Sequence, residues 1–191
     1  MRFTPGPIEG LWIIETEPVI DHRGYFARAW CQDEFAEHGL KASWPQQNLQ
    51  HSPRAGTMRG LHYQVPPHAE IKLVRCTKGR VFDVTVDLRP DSATYGKWAG
   101  NELSDDSRIA VWVPHGCAHG YLTLAPESDV FYLTSKEYVP ESVRGVRFDD
   151  PMFEIDWPRP IDLVPDGYDT WPDFSSEMAR ELASLSAAEH M

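Results

Sequence analysis

Arg80-Val-Phe-Asp-Val-Thr-Val-Asp-Leu88 alternates polar and apolar side chains over most of its length. Positions 82, 84, 86 and 88 are all apolar, whereas positions 83, 85 and 87 carry two aspartates and a threonine. A period of two is that of a β-strand, because successive side chains of a strand point to opposite faces. The segment therefore predicts a strand with one apolar face.

The sequence around this strand predicts further short strands. Lys78-Gly79 predicts a hairpin turn that joins it to a preceding strand beginning at Lys72. Sixteen prolines and thirteen glycines interrupt the 191 residues at short intervals, which is typical of many short strands joined by turns. More strands are predicted over residues 11–15, 109–113, 120–124 and 130–135.

Only two segments have a helical pattern. One is 32–38, and the other is 175–188, where Met178, Leu182 and Leu185 share a face and Ser175 or Ser176 provides the N-cap. The sequence thus predicts an all-β sandwich or barrel as one domain over residues 1–191, with a helical tail from about residue 175.

Composition excludes several classes of protein. Hydrophobic residues make up 41% and charged residues 25% of the chain, which is too apolar for a disordered protein. A net charge of −11 argues against a nucleic-acid partner. We expect no membrane partner, because no apolar run approaches the ~20 residues of a bilayer span. Three widely spaced cysteines, Cys31, Cys76 and Cys117, predict neither disulfides nor a zinc site, and we expect a cytoplasmic location.

Four of the eight histidines occur in two short segments. Five residues separate His62 from His68, and three residues separate His115 from His119. A metal-binding barrel favours His-x-His with a carboxylate, whereas Glu70 follows His68 beyond a Pro-Pro break. We therefore predict no metal site, and the metal interpretation stays as an alternative.

A second set of residues has the chemistry for proton transfer beside a carbonyl group. A histidine can remove an activated C–H proton, a lysine or second histidine can stabilise the enolate oxygen, and a tyrosine can return a proton. Arginines such as Arg23 can bind phosphate in a bidentate manner. The candidates for this chemistry are Arg59, His62, Lys72, His119 and Tyr132.

The sequence resembles the dTDP-4-dehydrorhamnose 3,5-epimerase family. The resemblance extends from about Gly10 to Phe174 and has its motifs in the family's order. They are Asp21-His-Arg-Gly-Tyr-Phe, Gln46-Gln-Asn48, Arg59-Gly-Leu-His-Tyr-Gln, Lys72-Leu-Val-Arg-Cys, Asp83-Val-Thr-Val-Asp-Leu-Arg, Val113-Pro-His-Gly-Cys-Ala-His-Gly, Asp149-Asp-Pro and Ile155-Asp-Trp-Pro.

This resemblance implies a cupin-type jelly roll that acts, as a homodimer and without a cofactor, on a nucleotide-linked 4-keto-6-deoxy sugar. By similarity, His62 is the base at C3 and C5, Lys72 stabilises the enolate and Tyr132 donates a proton from the opposite face. Arg23, Arg59 and His119 would bind the diphosphate and sugar, and Gln46 and Asn48 the nucleotide. Phe26 and Tyr138 complete the implied substrate-binding set.

The sequence departs from the family pattern in three places, one of which is Pro140-Glu-Ser-Val143, where the family's usual glutamate is displaced or absent and Glu141 lies nearby. The aspartate that orients the histidine base matches Asp169 best, although alignment on Trp171-Pro172 places Tyr168 there, and Asp166 is a third candidate. Ala27-Arg28 stands where the family has a glutamate near the nucleotide. Two alternatives therefore stay open: a non-catalytic sugar-nucleotide-binding homologue, and a monoepimerase that uses another nucleotide.

Overall fold

The predicted strands form, and they assemble into a sandwich of two antiparallel sheets. The structure is a computed structural model that describes residues 1–167 and 171–183. Its strands are β1 (Arg2–Pro5), β2 (Trp12–Glu15), β3 (Val19–Asp21), β4 (Gly24–Phe26), β5 (Gln46–Ser52), β6 (Met58–Gln64), β7 (Lys72–Lys78), β8 (Arg80–Asp87), β9 (Trp98–Ser104), β10 (Ile109–Val113), β11 (Cys117–Thr123), β12 (Ser128–Thr134) and β13 (Val143–Gly145). Helix α1 is Gln32–Glu37, helix α2 is Ser176–Arg180, and a 3₁₀ turn covers Pro140–Ser142.

The strand order defines a jelly roll. One sheet has six strands in the order β1-β2-β10-β7-β12-β5, and the other has five in the order β13-β6-β11-β8-β9. Strands β3 and β4 pair with each other as a separate hairpin. The all-β prediction is confirmed.

Strand β8 lies inside the five-stranded sheet, between β11 and β9. Its apolar residues Val84 and Val86 pack on the outer face of that sheet, against Phe153, Phe174 and Leu182 from the carboxy-terminal segments. Its other face points between the sheets, where Val81 joins the central core and Asp83 is buried. The predicted apolar face is confirmed, but the polar face is also buried and borders the interior.

A third apolar layer covers the outer face of the six-stranded sheet. Phe35 of α1 packs with Leu40, Leu73 and Trp112 in this layer. Helix α1 ends one residue earlier than predicted. Of the two predicted N-cap residues of α2, the structure has Ser175, whose side chain accepts a hydrogen bond from the Met178 amide at 3.3 Å. This helix ends at Arg180, and residues 184–188 of the predicted tail lie outside the described residues.

A buried ion pair closes one end of the sandwich. Asp87 accepts bonds from the backbone N, Nε and Nη2 of Arg89 at 3.1, 2.9 and 2.8 Å, and from the hydroxyls of Ser92 and Thr94, both at 2.6 Å. Burial opposes ionisation of Asp87, but these hydrogen bonds outweigh it and hold its pKa below the ordinary value. Arg89 also donates to the Glu9 carbonyl, so the pair ties the amino-terminal segment to the β8–β9 connection.

The three cysteines are free thiols, two of them buried. Within residues 1–167 and 171–183, the structure contains no helix that is long and apolar enough to cross a membrane.

Candidate active site

A cleft opens between the two sheets. It consists of two adjoining cavities of about 160 and about 250 Å³ that share Gln50, His62, Lys72 and Tyr132. Because β6 belongs to the five-stranded sheet and β7 and β12 to the six-stranded sheet, His62 enters the cleft from one side and Lys72 and Tyr132 from the other. The cleft thus brings together three residues far apart in the sequence.

His62 and His119 are neighbours across β6 and β11. His119 Nε2 lies 2.7 Å from Asp83 Oδ2 on the next strand, β8, and that carboxylate is fully buried. Pairing between β6 and β11 shifts register after His119, at the point where Gly60 and Gly120 meet. A Cβ on Gly60 would lie 2.6 Å from the Gly120 Cα, and Gly60 has φ +96°, so this close approach requires glycine.

Lys72 is held by two acceptors inside the cleft. Its Nζ lies 2.9 Å from Glu70 Oε1 and donates to the His62 backbone carbonyl at 3.3 Å. Both side chains of the ion pair are about nine-tenths buried. The lysine ammonium is therefore fixed beside the strand that carries His62.

The environment of His62 favours a neutral imidazole. Burial lowers its pKa to about 3, and the charges of Lys72 and His119 act in the same direction. The Trp171 ring meets the imidazole edge to face, with centroids 5.3 Å apart. Trp171 lies where a Cβ of Gly145 would otherwise be, and Gly145 pairs with His62 in the sheet.

Tyr132 faces His62 from the opposite sheet. Burial raises the pKa of its phenol, and the nearby Glu70 carboxylate adds to this effect. The phenol therefore holds its proton at neutral pH. A neutral base and a protonated acid on opposite walls of one cleft suit the removal and return of a carbon-bound proton.

The wider part of the cleft contains amide side chains. Gln46 Nε2 donates to Asn48 Oδ1 at 2.9 Å, and Gln46 Oε1 accepts a bond from the Tyr138 amide at 3.0 Å. Gln46, Asn48 and Tyr138 all line this part. At the other end, Arg59 lines the cleft and donates to the His51 carbonyl at 3.1 Å.

Two predicted binding residues do not line this cleft within the single chain. Arg23 and Phe26 lie on the β3–β4 hairpin, where the Arg23 side chain is 78% exposed and Phe26 is 74% exposed. The Arg23 guanidinium is paired with Asp21 of the same hairpin. Asp169 and Tyr168 lie outside the described residues, and Asp166 is exposed.

Sequence reasoning missed Gln50, which lines both cavities, and three residues that contact predicted site residues, namely Glu70, Asp83 and Trp171. Asp83 had a usable signal, because it lies on the polar face of the most regular predicted strand. Glu70 was considered only as a metal ligand, and Trp171 only as an alignment marker. Within the described ranges, 1–167 and 171–183, no three or more His, Cys, Asp or Glu side chains form a candidate metal site.

The fold and the cleft together define a cupin-type jelly-roll enzyme that works by acid–base chemistry. The family model described as dTDP-4-dehydrorhamnose 3,5-epimerase matches residues 5–177, and the chain belongs to that family. It is accordingly an isomerase, an epimerase of nucleotide-linked sugars.

Three relatives support this assignment. A dTDP-4-dehydrorhamnose 3,5-epimerase of Sinorhizobium fredii is 43% identical over 159 residues, which cover 83% of this chain and 82% of the relative. A dTDP-4-dehydrorhamnose 3-epimerase of Streptomyces niveus is 43% identical over 165 residues, which cover 86% and 79%. The crystal structure of the 3,5-epimerase from Bacillus anthracis with TDP and pyrophosphate bound has a TM-score of 0.88 at 33% identity, covering 91% of this chain and 99% of that one.

Proposed function

We propose that this enzyme epimerises a dTDP-4-keto-6-deoxyhexose at both C3 and C5, the conversion of dTDP-4-dehydro-6-deoxyglucose to dTDP-4-dehydrorhamnose. The observation that carries the proposal is the placement of His62 and Tyr132 on opposite sheets of one cleft. Inversion at carbon requires that a proton leaves one face and returns to the other, so the base and the acid must flank the sugar ring.

The proposed reaction begins at His62. Its neutral imidazole removes the proton at C5 or C3, both of which are acidified by the adjacent C4 ketone. The electron pair moves to the C4 oxygen, and the Lys72 ammonium stabilises the resulting enolate. Tyr132 then protonates the carbon from the opposite face, the ketone re-forms, and proton exchange with water returns the His62 imidazolium and the Tyr132 phenolate to their starting states. Since no electrons are gained or lost overall, these steps need no electron carrier.

Other cleft residues would hold the substrate. We propose that Arg59 and His119 bind the diphosphate and sugar, and that Gln46, Asn48 and Tyr138 hold the nucleotide. Two buried donors along the cleft, Arg59 Nε and Asn48 Nδ2, have no acceptor among the described residues, as expected of groups that pair with a ligand. Similarity to a relative that was crystallised with TDP supports the thymidine nucleotide.

The orientation of His62 belongs to the same proposal. We assign the orienting carboxylate to Asp169, which lies outside the described residues. Trp171, two residues further along the chain, supports this assignment, because its ring contacts His62. An orienting carboxylate would also stabilise the imidazolium that forms when His62 takes the substrate proton.

The exposed hairpin supports a homodimer. Val19, Ile20, Tyr25 and Phe26 expose between 57% and 75% of their surface on β3 and β4, and Leu49 exposes 69% on the edge strand β5. Exposed apolar side chains that are concentrated in this way mark an interaction surface. We propose that the hairpin packs on a second copy and delivers Arg23 and Phe26 to that copy's cleft.

A cytoplasmic location is part of the proposal. It is supported by the three free cysteine thiols, which are typical of a reducing compartment.

The proposal is tested by incubating the enzyme with dTDP-4-keto-6-deoxyglucose in D2O and following deuterium at C3 and C5 by NMR. We expect incorporation at both carbons in the wild type and at neither carbon in folded His62→Ala. His68→Ala is the matched control, because His68 does not line the cleft, and it should exchange at the wild-type rate. Exchange in His62→Ala would refute the base assignment.

The same experiment separates one epimerised centre from two. The 3,5-epimerase and the 3-epimerase relatives are equally similar to this chain, so sequence identity does not discriminate between them. Deuterium at C3 alone would identify a monoepimerase. Absence of exchange from the thymidine substrate, but exchange from the CDP or GDP sugar, would identify a different nucleotide.

The dimer is tested by light scattering and by mixing variants. Arg23→Ala and His62→Ala should each be inactive alone. If Arg23 serves the partner's cleft, mixed dimers contain one site with neither defect, and activity should reappear. A monomeric wild type, or mixtures that stay inactive after exchange of subunits is demonstrated, would contradict this arrangement.

A further inference from the structure

Glu70 is a buried carboxylate in the cleft that the proposed reaction does not use. It lies in the connection between β6 and β7, its side chain is only 7% exposed, and it lines the cleft with Lys72, Tyr132 and Tyr138. Burial of a charge is unfavourable unless other groups compensate it. Its Oε2 is buried without a hydrogen-bond donor among the described residues, so the compensation is incomplete. Pairing with Lys72 therefore accounts for one carboxylate oxygen of Glu70 and not for the other.

The compensation that exists comes from Lys72. A lysine ammonium has three N–H donors on a flexible four-carbon stem. One donor is directed to Glu70 Oε1 at 2.9 Å and a second to the His62 carbonyl at 3.3 Å. Two fixed acceptors define the position of the nitrogen, and one N–H is left for a ligand.

We propose that Glu70 is a positioning residue for the epimerisation, which holds the Lys72 ammonium against the His62 carbonyl so that the remaining N–H faces the C4 oxygen of the sugar. This inference rests on the proposed function. Glu70 acts through Lys72 and contacts no reacting atom. Because the Lys72 ammonium donates to the backbone carbonyl of His62, Glu70 also fixes the distance between the base and the enolate-stabilising group.

The electrostatic effect of Glu70 on Tyr132 gives a second, independent signal. The carboxylate contributes to the raised pKa of the Tyr132 phenol. Removal of this charge should therefore move the alkaline limb of the pH–rate profile to lower pH. Loss of a carboxylate remote from Tyr132 would not move that limb.

The first test compares Glu70→Ala and Glu70→Gln with the wild type. We expect Glu70→Ala to lower kcat about 10- to 100-fold, the range for a misplaced catalytic group, with KM changed less than about threefold. Glu70→Gln keeps an acceptor for Lys72 and should recover a large part of kcat, while the alkaline limb still shifts. Glu102→Ala is the control, because Glu102 forms an exposed pair with Arg80 away from the cleft.

A double-variant cycle decides whether Glu70 acts through Lys72. In a Lys72→Ala background, Glu70→Ala should produce no further loss of kcat, because the group that it positions is absent. A double variant whose loss of kcat equals the product of the two single losses would overturn the inference, and so would an unchanged kcat in Glu70→Ala alone.

A ligand-free crystal structure of Glu70→Ala separates this inference from the proposed function. We expect Lys72 Nζ to leave the His62 carbonyl in this variant. A lysine that keeps its wild-type position would overturn the inference even if the enzyme epimerises its substrate. Conversely, failure of the wild type to exchange deuterium would refute the function and leave the lysine position as a separate result.

Discussion

The buried pair of Asp87 and Arg89 allows a prediction about stability that can be worked out from the contacts. In Asp87→Asn the side chain keeps its shape, but the charge opposite Arg89 disappears. Arg89 is only 1% exposed, so its guanidinium would stay buried without a counter-ion. Removal of one partner of such a pair costs about 3–5 kcal/mol. Since the asparagine oxygen can still accept one or two of the bonds, we expect a loss of about 3 kcal/mol.

The free energy of unfolding would be measured by urea titration at pH 7, with tryptophan fluorescence as the signal and a fixed protein concentration. The matched control is Glu102→Gln, the same change of carboxylate to amide in an exposed pair with Arg80, where we expect less than about 1 kcal/mol. Asp87→Asn combined with Arg89→Met should recover part of the loss, because no charge is left buried. A loss below about 1 kcal/mol in Asp87→Asn would refute this reasoning.

Three further predictions concern the site. Tyr132→Phe should block epimerisation more than proton removal, because only the return of the proton depends on the phenol; equal loss of deuterium exchange and product formation would contradict the donor role. Gly145→Ala should displace Trp171, since the new methyl group would lie within 2 Å of three ring carbons. We expect about 1–3 kcal/mol of destabilisation and a lower kcat; a variant with the stability and kcat of the wild type would contradict the packing. The pKa of His62 lies near 3, below its ordinary value of 6.5, so the unfolded chain binds more protons between these values and stability falls as pH falls through this window. In a plot of the free energy of unfolding against pH, His62→Gln should reduce the slope in this window by up to about 1.4 kcal/mol per pH unit. Parallel curves for the wild type and the variant would contradict the shift.

The fold was predictable from the sequence where one face of a strand is apolar. Strand β8 forms at the predicted position because apolar residues recur in it at strand spacing, and β10 forms as predicted because its five residues are all apolar. Strands β5 and β9 were not predicted. In β5 the sequence Gln46-Gln-Asn-Leu-Gln-His-Ser52 has little apolar content, because Gln46, Asn48 and Gln50 face the cleft instead of a core. A strand that lines a functional site departs from the alternation of polar and apolar residues on which sequence-based prediction depends.

The candidate site was predictable in part, since resemblance to the family indicated His62, Lys72 and Tyr132, and the structure brings these three together. The contacts that set their properties were not predictable. Asp83 acts through its distance to His119 on the neighbouring strand, a register that a single sequence does not contain, and Glu70 acts through the conformation of the connection before β7. For Arg23 the family motif was present in the sequence, but the side chain lies on the exposed β3–β4 hairpin and does not line the cleft of the same molecule.

The covering of the outer face of β8 by residues near the end of the chain has a consequence for biosynthesis. Phe174, Ala179 and Leu182 complete the apolar cluster that contains Val84 and Val86. During translation, the β8 region leaves the ribosome many seconds before these residues do. The nascent chain therefore carries an uncovered valine-rich surface until residues 174–182 have been made, and it is in this interval that a chaperone would have its binding site.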